Sequence, residues 1–170
     1  MENDERPTTG DHPHPHDPGT AAWHRRIHHT DHDHLSEATA QTKGMRRYEA
    51  ISGRLTGSRK LWMGRAHVPA GMSSGDHHHG EAETGIYVVS GNPVFVFLEH
   101  GAERRVEAGP GDYIYVPPFV PHREENPGAE ETVVVLARST QEGIVVNLES
   151  LRVEVPELDA LIAELRAGNR

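Results

Sequence analysis

Cysteine is absent from the 170 residues. That excludes disulfides, thiolate nucleophiles and Cys-type zinc sites, and without disulfides a cytoplasmic location is expected. No apolar run approaches the roughly 20 residues a membrane helix needs, and the polar N-terminus does not read as a signal peptide. Hydrophobic residues are scarce at 35%, low for a fully ordered globule, so part of the chain is expected to lack a fixed structure. Positive charge is in deficit: 17 Lys and Arg face 26 Asp and Glu, a net charge of −9. This argues against nucleic acid or a membrane surface as a main partner. Aromatic residues number only three Phe, four Tyr and two Trp, whereas there are 14 His. Imidazole is the commonest protein ligand for transition metals, so the question is which histidines a fold holds in place.

The length suits one domain with tails. Residues 1–44 are rich in Pro, Asp, Thr and His, with eight histidines and almost no branched apolar residues. Such a segment buries too little to offset its ordering entropy. It reads as a disordered His-rich arm, with Trp23, Ile27 and Leu35 as local docking points and metal scavenging as its functional reading. Residues 45–150 change character. Short β-branched runs stand between Gly and Pro breaks: Lys60 to Val68, Gly85 to Ser90, Val94 to Glu99, Arg104 to Ala108, Asp112 to Val116, Glu131 to Arg138 and Gly143 to Leu148. Evenly spaced short strands without intervening helices predict an all-β antiparallel sandwich or barrel. Residues 151–170 end the chain with a helix from Pro156 to Ala167, whose Leu158, Leu161, Ile162 and Leu165 share one face. That face is expected to pack on the barrel or on a second subunit.

Two stretches carry chemistry. In Gly71 to Gly91 (GMSSGDHHHGEAETGIYVVSG), strand alternation points His77 and His79 to one side and His78 to the other. In Gly111 to Asn126 (GDYIYVPPFVPHREEN), a strand and a Pro-rich corner lead into His122, which a barrel can bring opposite the first pair. Glu83 or Glu81 would add a carboxylate. This N/O ligation suits divalent Fe, Mn, Ni, Co or Zn. Elsewhere, His67 reads as a barrel or cavity-wall residue, His100 as a solvated turn residue, and Tyr87 and Tyr115 as possible cavity donors. Arg123, Glu124 and Glu125 read as solvent-facing charges.

These stretches resemble the two signature motifs of the cupin superfamily. Gly71, His77, His79 and Gly91 fit the first motif, and Gly111, Pro117, His122 and Asn126 fit the second. The family glutamate does not fall cleanly. Four intervening residues place it at Thr84; three place it at Glu83, which then needs a bulge before Gly91. Phe119 stands where the family has glycine. The chain resembles the small single-domain bacterial cupins grouped with the sugar-epimerase-like jelly rolls, through His77 to Glu81 and Val116 to His122. The resemblance implies a jelly-roll barrel, a divalent metal on His77, His79, Glu83 and His122, and a homodimer. Glu81 and water are the alternatives to Glu83.

The function expected is that of a metal-dependent enzyme, of dioxygenase, isomerase or lyase type, acting on a small molecule in the barrel. Glu83, if not bound to metal, and Tyr87 are its first candidates for a catalytic base. The alternative is a non-catalytic small-molecule or metal-binding cupin. A metal-free sugar-nucleotide isomerase is disfavoured by the acidic charge and the clustered histidines.

Overall fold

The structure is a computed structural model that describes residues 16–141 and 143–168. In chain order the strands are β1 (Arg46–Ile51), β2 (Trp62–Val68), β3 (His77–His78), β4 (Thr84–Ser90), β5 (Val94–Glu99), β6 (Ala102–Glu107), β7 (Tyr113–Val116), β8 (His122–Glu125), β9 (Thr132–Arg138) and β10 (Val146–Asn147). The helices are α1 (Gly53–Thr56) and α2 (Pro156–Gly168). All the strand pairs are antiparallel and form two five-stranded sheets, β1-β2-β9-β4-β7 and β10-β3-β8-β5-β6.

The sheets pack face to face through Trp62, Ala66, Val68, Ile86, Val88, Phe95, Val134 and Leu136. Burial alternates strictly along β2 and β9, as expected of strands with one face in the core. Each large side chain buried in this way contributes roughly 1.5–3 kcal/mol.

The expected barrel is not closed: among the described residues no ladder joins one sheet to the other. The run Gly143 to Leu148 yields only the two-residue β10, and β3 is equally short, so the edge where closure would occur has too few backbone pairs. The other strands lie where their sequence runs predict. β1 is an addition, since its inward positions are Arg47 and Glu49 rather than apolar residues.

Of the expected disordered arm, residues 1–15 lie outside the described residues. From there on the chain is mostly exposed but is tied to the sandwich at points. Trp23 Nε1 donates to the Thr56 carbonyl at 2.8 Å, and Ser36 and Glu49 exchange backbone bonds of 2.9 and 2.7 Å. Ile27 does not dock, being 97% exposed. In α2, Leu158 and Leu161 are half-buried while Leu165 is exposed, so only part of its apolar face is covered. No helix among the described residues is long and apolar enough to cross a membrane.

Candidate metal centre

β3 and β8 pair directly through His77 and His122. His79 follows just beyond β3, at a turn where Gly80 takes φ 58° and the Ala82 N–H donates to the His79 carbonyl at 3.2 Å. The corner before β8 is tied to that turn, because the Phe119 N–H donates to the Gly80 carbonyl at 2.7 Å. Phe119 has φ 62°, so it adopts the left-handed backbone that a glycine would take there. The segment Gly71–Gly75 runs beside β8. Gly71 N donates to Asn126 O at 2.9 Å, Asn126 N to Met72 O at 2.8 Å and Ser74 N to Glu124 O at 2.8 Å.

These constraints bring the rings of His77, His79 and His122 together, with centroids 4.4–5.2 Å apart. One ligand atom from each, and one from Glu124, all lie within 4.8 Å of one another. All four residues are buried. The Nε2 atoms of the three histidines are buried and have no hydrogen-bond partner among the described residues.

The opposite ring nitrogens explain the orientation. His77 Nδ1 lies 3.1 Å from the Gly75 carbonyl and His122 Nδ1 lies 2.9 Å from the Val120 carbonyl. A carbonyl only accepts, so each Nδ1 carries the proton and each Nε2 presents a lone pair. His79 Nδ1 lies 2.9 Å from Thr84 Oγ1.

Burial, followed by the neighbouring His122, pushes the His77 imidazole down to about 3. Burial likewise takes His122 down to about 4 and His79 well below its usual range. All three are therefore neutral near pH 7, the form that binds metal. Burial raises the Glu124 carboxyl, against the pull of Arg47 and Arg138. Three neutral imidazoles with unmet lone pairs, converging beside one carboxylate, match the donor set of a transition-metal ion.

The structure therefore gathers His77, His79 and His122 but does not bring Glu83 to them. Glu83 lies on the outer face of the sheet, where its Oε1 accepts from the Tyr115 hydroxyl at 3.0 Å. Glu81 is also exposed, at a turn. The bulge that the Glu83 alignment needs before Gly91 has a counterpart in a register shift of β4 against β9, but Thr84 to Val88 pair in regular register and Glu83 still faces outward. The irregularity comes between Val88 and Ser90, ahead of Gly91, whose left-handed φ of 82° leads into β5. Thr84 thus takes the inward position expected of the family glutamate. Glu124 is a correction in the other direction: expected in solvent, it is 3% exposed. The available signal was its place two residues after His122, on the same face of a strand.

Tyr87 faces outward, 38% exposed and 5.0 Å from the Tyr113 ring, so it is outside the cluster. Tyr115 also faces outward. His67 lies on the outer side of β2, where Nδ1 meets Glu131 Oε1 at 2.7 Å. His78 is buried away from the cluster and accepts from the Gly80 N–H at 2.9 Å. His100 is exposed in the β5–β6 turn.

Beside His122 a cavity of about 520 Å³ opens between the sheets. Phe95, Phe97, Val106, Val116 and Val120 form much of its wall, with Tyr113 and Tyr115 also lining it.

Residues 64–138 match the family described as the cupin domain. No curated protein matches the chain. Among solved structures, the polyketide cyclase RemF from Streptomyces resistomycificus is similar, with 20% identity and a TM-score of 0.61, covering 74% of this chain and 87% of that one. An oxalate oxidase is similar at 17% identity and a TM-score of 0.57, covering 75% and 72%. Oxalate decarboxylase from Bacillus subtilis is similar at 25% identity and a TM-score of 0.57 over 72% of this chain, which spans 32% of that longer one. The same decarboxylase is described as having Mn(II) centres.

Proposed function

Because residues 64–138 match the cupin domain and the solved structures share its fold, we propose that this chain is a metal-dependent enzyme acting on a small molecule in the cavity beside His122. His77, His79, His122 and Glu124 would hold one divalent ion. The observation that carries this reading is the set of three buried, unpartnered Nε2 atoms facing one another and one carboxylate. Divalent Fe, Mn, Ni, Co and Zn all suit these donors, and the Mn(II) of the oxalate decarboxylase makes manganese the first ion to test.

When bound, such an ion supplies Lewis acidity and open positions for a substrate oxygen. The chain supplies the rest. The Gly75 and Val120 carbonyls fix two histidine tautomers, and the Thr84 hydroxyl orients the third ring. Phe95, Phe97 and Val116 give the cavity beside His122 an apolar wall. Buried Arg47 and Arg138 place positive charge around the cluster. Neither Glu83 nor Tyr87 faces this space, so neither is retained as a proton carrier.

Elemental analysis of the purified full chain tests the proposal. The expected result is close to one transition-metal ion per chain, lost in His77→Ala and His122→Ala. A wild-type chain without metal after growth and refolding in each candidate ion would overturn it. Oxygen uptake and product formation over a panel of small molecules then test turnover. Stoichiometric metal with no turnover would favour the non-catalytic binding reading.

A further inference from the structure

The outer face of the first sheet carries a trough on the side away from the histidines. Across it Met63 on β2 pairs with Ala137 on β9, Ala137 with Gly85 on β4, and Gly85 with Tyr115 on β7. Two residues along the same face, Tyr87 pairs with Tyr113. A Cβ at Gly85 would meet nothing within 4 Å, so this glycine leaves a hollow between the larger side chains around it. The trough measures about 420 Å³, and these residues form much of its lining. That volume suits a small molecule, whose sites span roughly 300–1,000 Å³. β7 is an edge strand, so Tyr113 and Tyr115 also border the cavity beside His122. Met63, Gly85 and Ala137 border only the outer trough.

The three tyrosines are exposed. The Tyr87 and Tyr113 rings lie 5.0 Å apart and are inclined by 51°, so they form a corner rather than a flat stack. An aromatic face is electrostatically negative and attracts a cation within about 6 Å of the ring centre. The cation–π contacts among the described residues go to Trp23 and Trp62, which leaves these three rings without one. Glu83 adds a full negative charge. It stands two residues before Gly85 on the same face, held by the Tyr115 hydroxyl at 3.0 Å. None of the ion pairs among the described residues includes it. Arg65 lies in the Tyr87 row but two strands away, beyond Val135. That is about 10 Å by strand spacing, where salt screens most of its repulsion. The floor made by Met63, Gly85 and Ala137 offers no side-chain oxygen to replace the water around a primary ammonium. A methylated ammonium needs no such bonds, and its methyl groups pack on ring faces and apolar walls.

We propose that this trough binds a small quaternary ammonium compound, its cationic head over Gly85, between Tyr87 and Tyr115 and beside Glu83. The rings and the carboxylate set a preference for a cation over a neutral molecule of the same shape. The site stands apart from the metal reading, because its floor is the opposite face of the sheet from Thr84 and the histidines.

NMR titration of the full chain, following the tyrosine ring signals, tests this with choline and with 3,3-dimethylbutan-1-ol, its uncharged isostere. Expected is choline binding at least about tenfold tighter than the alcohol, equally in chelator-treated and Mn(II)-loaded chain. Tyr87→Leu and Tyr115→Leu should abolish that preference, and Glu83→Gln should reduce it several-fold. Gly85→Val, which fills the hollow, should block both ligands. Where a tyrosine variant fails to fold, Glu83→Gln at its exposed position decides. Equal affinities for choline and the alcohol, no choline-dependent shift, a preference unchanged in Glu83→Gln, or binding that survives Gly85→Val would each overturn the proposal. Binding that requires Mn(II) would move the ligand to the histidines and do the same. A trimethyllysine peptide carries the same head group from another source, and its binding more tightly than choline would overturn the small-molecule assignment. Sedimentation supplies the remaining alternative: a dimer that Tyr115→Leu dissociates would give this face to a second copy of the chain and overturn the proposal.

Discussion

Glu83 and Thr84 are adjacent in sequence and lie on opposite faces of one sheet: the Glu83 carboxylate accepts from Tyr115 outside, while the Thr84 hydroxyl meets His79 Nδ1 inside. Strand alternation thereby leaves Glu124 as the carboxylate beside the three histidines. Glu124→Ala should lower metal affinity at least about 100-fold, because the variant loses a donor of the cluster. Glu83→Ala should leave affinity unchanged. Competition against a chromophoric chelator measures both, and a large loss in Glu83→Ala would reverse the assignment.

Thr84 itself should matter through His79. Thr84→Val keeps the side-chain shape and removes the hydroxyl that lies 2.9 Å from the ring. Loss of a partner that orients a metal ligand costs about 10–100-fold in affinity. With the fold intact by far-UV dichroism, an affinity equal to the wild type would show that the ring is held by packing alone.

The strands were legible wherever alternation and turn residues agreed, as in Thr132–Arg138 with its strict in-and-out burial. The three histidines were legible because period two fixes His77 and His79 on one side and the second motif supplies His122. β1 was hidden because its inward residues are Arg47 and Glu49, which read as surface charges until Ala40, Thr42 and Ser52 are seen bonding them. Glu124 was hidden in the same way, inside a run of four charged or titratable residues, although His122 two places earlier already faced inward. The open edge was not legible at all. It depends on how many backbone pairs β3 and β10 make, and residue type does not set that number.

Asn126, at the end of the second motif, is a structural pin. Its Nδ2 donates to the Val68 and Glu130 carbonyls at 2.9 and 2.7 Å, and its Oδ1 accepts from the Gly128 N–H at 3.1 Å. The side chain is buried, so Asn126→Ala leaves these groups short of partners. A loss of about 2–4 kcal/mol is expected, summed over bonds of about 1 kcal/mol each plus the unmet groups. Urea unfolding of the metal-free chain measures it, and a loss below about 0.5 kcal/mol, the range of ordinary surface substitutions, would contradict the pin.

Phe119 holds a left-handed φ of 62° at the corner before His122. A non-glycine residue there stores roughly 1 kcal/mol of strain. Against this stands the contact of its ring with His78, centroids 6.1 Å apart. Phe119→Gly should therefore change stability by less than about 1 kcal/mol, while metal affinity stays within a few-fold of wild type because the Gly80 carbonyl still receives the backbone N–H. A large stability loss on urea unfolding would show that the ring, rather than the backbone, fixes the corner.

The Glu131 carboxylate bridges β1 and β2 from outside, meeting His67 Nδ1 at 2.7 Å and Arg46 Nη2 at 3.1 Å. The hydrogen bond from His67, and then the one from Arg46, hold its carboxyl below the usual 4.5. The folded chain thus resists a proton that the unfolded chain accepts. The stabilisation is present above that usual value and is lost as the pH falls through the depressed one. The side chain is 38% exposed, so solvent screening limits the contribution to about 1 kcal/mol at most. Glu131→Gln should lower the urea midpoint at neutral pH, less so in high salt, and the gap should close in strong acid once both carboxyls are protonated. A gap that persists unchanged from about pH 7 to about pH 2.5 would mean that Glu131 acts through packing rather than charge.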